Sequence, residues 1–129
     1  MINVVEVIGK CLDKNDIGVY DEYGVGGNIF AGKLNSKDNN QIVLGYKTTQ
    51  SFLDGKNTIG NLTVKVYNRN YHNAVRILET IEKVLANQIV AGDDVYIKVA
   101  PLTAIEDIDV SNETTLLCVQ SKYKTQIIN

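Results

Sequence analysis

The sequence has no tryptophan, one proline, one histidine and two cysteines. Each scarcity removes a class of explanation. His72, Cys11 and Cys118 are scattered without metal-ligand spacing, and a zinc site, which takes four ligands or three and a water, cannot be made from them without carboxylates. Two isolated thiols make no disulfide framework either. They read as free, buried or half-buried cysteines of a reducing compartment. No run of like charges is present, and the formal net charge is −2. That excludes the basic footprint of sequence-specific nucleic-acid binding and any polybasic membrane anchor. The first residues, MINVVEVIGKCLDKND, lack a basic start and a long apolar core. Neither a signal peptide nor a membrane span is expected, so the protein stays inside the cell that makes it or leaves by lysis or assembly.

What remains is an ordinary globular composition. The 129 residues are 44% hydrophobic and 22% charged, which suits one domain over residues 1–129 with a core of its own. Val5, Ile8 and Leu12 recur at helical spacing and predict a first helix over 2–13. Ile17 to Tyr20 and Ile29 to Leu34 read as short extended pieces. Between them a glycine cluster, Gly24, Gly26 and Gly27, interrupts the chain. Asn35 to Asn40 is a run of turn formers, and Gln41 to Lys47 is a compact apolar strand.

Thr48 to Gly60 reads as a polar connection. The clearest strand follows, NLTVKVYNR, with Leu62, Val64 and Val66 on one face and Thr63, Lys65, Tyr67 and Arg69 on the other. Such alternation buries one face and offers the second to solvent or a partner. Asn70 is placed to cap a helix whose apolar stripe is Ala74, Ile77, Leu78, Ile81, Val84 and Leu85, with Asn87 and Gly92 marking its exit. Val95 to Ala100 and Thr115 to Lys124 predict two last strands around an acidic loop, Glu106 to Glu113. The expected fold is α+β: one mostly antiparallel sheet with two helices on one face, in the order α-β-β-β-α-β-β.

Chemistry is hard to find in this pattern. Gly27 to Leu34, GNIFAGKL, matches the phosphate-cradling loop G-x-x-x-x-G-K-[S/T] except at its last position. A working loop needs a buried strand before it, a helix after it and a hydroxyl beside the lysine. Here Leu34 replaces the hydroxyl, a polar turn follows Lys33, and DEYGVG precedes the motif. The likeness is accidental. His72 has no nucleophile tied to it by spacing, and Glu106, Asp107, Asp109 and Glu113 fit no calcium loop. No catalytic residue, cofactor site or metal site is expected, and the reading is non-enzymatic. The seven tyrosines suit either a sheet or a protein interface.

The stretch "NIFAGKLNSKDNNQIVLGYKT", followed by "LTVKVYNR" and "NYHNAVRILETIEKVL", resembles phage tail-terminator and minor capsid (tail-completion) proteins. The shared signature is a short strand ending in Gly-x-Leu, a polar turn, an Ile-Val strand, then a strand leading straight into a helix. It departs in its turn, where the family often has prolines and this chain has Asn35, Lys37 and Asp38.

The resemblance implies a ring, usually of six copies, that caps the tail tube and stops its polymerisation. Such a ring joins the tube to a neck or connector protein or to the end of the sheath. The family includes collars of contractile phage-tail-like bacteriocins. It also leaves open another neck or head-completion connector, while a nucleotide-binding module stands as the reading from a different class. The implied partners are further copies of the chain, the tail tube protein, and a sheath or neck protein. The implied location is a virion or tail-like particle assembled in the host bacterial cytoplasm. Thr63, Lys65, Tyr67, Arg69, Phe52 and Leu53 are the candidate interface residues.

Overall fold

The structure, a computed structural model, describes residues 3–21, 26–51 and 58–128. Helix α1 spans Val4–Lys14, and Asn3 caps it by accepting from the Glu6 N–H at 3.1 Å. Val4, Ile8, Gly9 and Leu12 form its buried stripe, one face of a 3.6-residue repeat. Ile17 to Tyr20 is not a strand: its only ladder contact is a single parallel bridge from Tyr20 to Ile29. Strand β1 (Ile29–Ala31) stops short of Leu34, because Gly32 turns out of it at φ +84°.

Strands β2 (Gln41–Ser51) and β3 (Thr58–Asn68) form a long antiparallel pair. Helix α2 (Tyr71–Leu85) follows at once, capped by Asn70, whose side chain accepts from the Asn73 N–H at 3.0 Å. Its stripe of Ala74, Leu78, Ile81 and Leu85 is fully buried, each large side chain contributing roughly 1.5–3 kcal/mol. Beyond it come β4 (Gln88–Gly92), β5 (Val95–Pro101), β6 (Glu106–Ile108) and β7 (Leu117–Ile128). Two of these are additions to the expected order. β4 occupies what reads as a helix exit, and β6 lies inside the acidic loop.

The strand order is β1-β2-β3-β7-β5-β4, antiparallel except for the parallel β1–β2 pair. β5 and β6 pair one after the other along the same edge of β7, opposite residues 123–128 and 118–120. Both helices pack on one face, over a core that includes Leu44, Leu62, Val64, Ile97, Val99 and Tyr123. α2 lies against β3 and β7, while α1 touches β1 and β2 as well as β4. The two edge strands of the sheet, β1 and β4, therefore both meet the same helix.

The outer face of the sheet is not simply open. Val43, Tyr67, Cys118, Val110 and Leu116 form a second, smaller core there, with Leu34 and Ile108 packed against it. Val110 and Leu116 come from the β6–β7 connection, so this face is roofed at one end by chain from elsewhere in the sequence.

Candidate interaction surfaces

The glycine–lysine stretch carries no phosphate cradle. Gly27 lies against the backbone of Val19, and Ile29–Ala31 is a sheet strand. Lys33 sits exposed in a bend that no helix follows. The motif lacks the helix N-terminus that would focus backbone N–H groups on an anion. His72 is exposed in the first turn of α2, its ring edge-on to Tyr71 at 6.0 Å. Among the described residues, no group of three or more His, Cys, Asp or Glu is arranged to hold a metal ion. The acidic residues are instead used in local structure. Asp107 accepts from the Tyr71 hydroxyl at 2.8 Å, Glu106 from Gln120 at 2.8 Å, and Asp109 from the Ser111 N–H at 3.1 Å. The last of these bonds holds the Asp109 carboxyl below its usual range.

The candidate interface residues divide. Thr63 and Lys65 are partly exposed on the outer face of β3 and line a cleft of about 340 Å³ with Gly32, Lys33, Gly45 and Glu113. Tyr67 lines the floor of the same cleft but is only 2% exposed. It fills the second core beside Cys118, where burial pushes its hydroxyl up to about 12. Arg69 is exposed, but its guanidinium is committed to the Asp38 carbonyl through Nε at 3.2 Å and Nη2 at 2.8 Å. Phe52 and Leu53 lie outside the described residues.

The turn that Arg69 holds has a second organiser, the buried Gln41. Its Oε1 accepts from Asn35 N–H, and its Nε2 donates to the Ser36 and Asn39 carbonyls, each at 2.7 Å. Thr114 reaches across to the Lys37 carbonyl and ties the same turn to the β6–β7 connection. The turn is thus a fixed surface feature despite its polar composition.

Two segments stand out for partner contact. The first is the distal end of the β2–β3 pair. Lys47, Thr48, Thr49, Gln50 and Ser51 are all exposed, on both faces of the strand. They nevertheless stay in register with β3, Lys47 opposite Asn61 and Ser51 opposite Thr58, across an irregularity between Thr48 and Gln50. Composition suggests a loop here, because period-two alternation appears only where one face is covered. The second is a groove of about 990 Å³ between α1 and β4, where Val7, Lys10, Cys11 and Lys14 face Val90 and Gly92. Lys10 in this groove is paired with Glu6 at 2.8 Å.

No helix among the described residues is long and apolar enough to cross a membrane. No family model matches the sequence, and no curated protein matches it.

Proposed function

We propose that the chain is a structural, non-enzymatic protein of a phage tail or tail-like particle. Its copies form a ring that caps the tail tube, stops its polymerisation and joins it to the neck or sheath end. The observation that carries this reading is the paired arm, Lys47 to Ser51 against Asn61 to Thr58. Five consecutive exposed residues stay paired as strand, across one irregularity, although neither face is covered in a single copy. An ordered polar arm of this kind is suited to being covered by a neighbour, whose contacts would supply the missing burial. The resemblance to tail-completion proteins supports the same reading and names the neighbour: another copy or the tube.

The test is negative-stain microscopy with light scattering on the purified protein, alone and with the matching tube protein. Rings on their own or seated at tube ends, and tubes of limited length, are the expected result. A protein that remains monomeric at every concentration and leaves tube length unchanged would sink the proposal.

A further inference from the structure

The five long strands β2, β3, β4, β5 and β7 contain five lysines and not one aspartate or glutamate. Register places all five lysines on the outer face of the sheet. Lys47 and Lys124 both stand opposite Asn61, Lys122 opposite Thr63, Lys65 opposite Gln120, and Lys98 opposite Gln126. Lys122 and Lys124 are two apart on one strand, so their side chains share this face. Among the described residues none of the five makes an ion pair. Beside them the same face carries Ile89, Tyr96 and Ile128, exposed by 62%, 56% and 37%. Tyr96 lies directly opposite Ile128 across β5 and β7. An apolar patch with Lys98 directly beside it and Lys124 and Lys47 in the next rows of the same sheet face has the anatomy of an interface.

The complementary charge is on the same chain. Residues 106–113 carry Glu106, Asp107, Asp109 and Glu113 with no basic residue among them, and all four are exposed. This acidic segment sits at the opposite end of β7 from Tyr96 and Ile128. β6 pairs with residues 118–120, and Tyr96 with residue 128. Eight residues of extended strand separate the two ends by about 26 Å. Within one copy Lys47, Lys98 and Lys124, level with residues 124–126 of β7, are beyond close contact with the acids, whereas Lys65, opposite Gln120, and Lys122 lie near Glu106. Two different patches of one chain with opposite charge make a heterologous contact, which repeats head to tail and closes when its rotation allows.

We infer that the lysine-bearing outer face of one copy receives the acidic 106–113 segment of the next, with Tyr96 and Ile128 buried beside it. This rests on the ring reading above and assigns the surfaces that build the ring. Charge pairing of this kind sets partner choice and association rate, and it weakens with salt.

The experiment uses two full-length variants, K98E/K124E and E106K/E113K, with native mass spectrometry and light scattering at low and high salt. Circular dichroism and thermal melts confirm that each variant is folded. The wild type is expected to assemble beyond a dimer at low salt and to dissociate as salt rises. Each variant alone should shift the concentration midpoint of assembly upward by about tenfold or more, the scale of losing close interfacial charge pairs. Mixed in equal amounts, the two should assemble again in alternation, since each supplies the charge the other lacks.

Folded variants that assemble like the wild type, or that stay apart when mixed, would overturn the assignment of surfaces and leave the ring reading standing. A wild type that stops at a dimer would overturn the head-to-tail contact. A wild type that is monomeric throughout would overturn both. If it also bound a duplex oligonucleotide, with binding lost in K98E/K124E, the face would be a polyanion site instead.

Discussion

The Arg69 guanidinium donates twice to the backbone carbonyl of Asp38, from Nε at 3.2 Å and from Nη2 at 2.8 Å. The end of β3 is thereby fastened to the polar turn that precedes β2. A side chain that alternation assigns to solvent is used to hold the fold.

Replacing Arg69 by alanine should loosen the 35–40 turn at a cost of about 1 kcal/mol, since the bonds are exposed and compete with water. The Arg69 N–H bond to Asn40 Oδ1, at 2.9 Å, is retained in the variant. Urea denaturation reads the loss, and hydrogen exchange should show faster exchange confined to residues 35–40. Unchanged exchange there would show that Gln41, Thr114 and the retained Asn40 bond hold the turn without the guanidinium.

Gly9, on the buried side of α1, faces the ring of Tyr20. A methyl group at this position would overlap Tyr20 Cδ1 and lie 2.9 Å from Cγ. Gly9→Ala should therefore destabilise by roughly 1–3 kcal/mol despite alanine's better helix propensity. In a Tyr20→Ala background the same change should cost little, and thermal melts of the four proteins decide it. An equal penalty in both backgrounds would place the clash elsewhere.

Alkaline pH should weaken the fold through three buried acids. Burial pushes the Cys118 thiol up from 9.0 to about 11, and the Tyr67 and Tyr123 hydroxyls up from 10.0 to about 12. The folded state holds these protons more tightly, so the unfolded chain loses them first as pH rises. Their contribution is fully present below about pH 9 and is lost progressively up to about pH 12. Urea midpoints measured across that window should fall. Ultraviolet titration should show the two buried tyrosines ionising late, and Tyr67→Phe should remove one of them. A midpoint that is flat throughout would contradict the burial of these groups.

Magnesium and ATP should leave the melting temperature unchanged, because Lys33 follows a strand and precedes no helix. A rise in melting temperature that disappears in Lys33→Ala would reinstate the phosphate-loop reading.

Much of the fold is legible in the sequence because its main signals are local. Leu62, Val64 and Val66 alternate cleanly, and Ala74, Leu78, Ile81 and Leu85 recur at the helical period. Each pattern repeats within a few residues, whatever the rest of the chain does. β4 is harder to read. Its five residues bury only Val90, and its strand identity comes from pairing with β5 through the Asp93–Asp94 turn. The arm at Lys47 to Ser51 is illegible for a related reason: with neither face covered, no alternation marks it.

The candidate interaction surface divides along the same line. Lysines without acids in the strands are visible in the sequence, but only the register brings Lys47, Lys65, Lys98, Lys122 and Lys124 onto one face.

By itself, the sequence determined where the two helices and the middles of the central strands lie, and that Tyr67 faces away from Leu62, Val64 and Val66. Periodicity settles sides and leaves open what lies on each side. Only the tertiary structure decided that Tyr67 is buried, because Val110 and Leu116 cross over it from more than forty residues away in the chain. Local backbone geometry orients a side chain, whereas its burial depends on long-range packing that no short window of sequence contains.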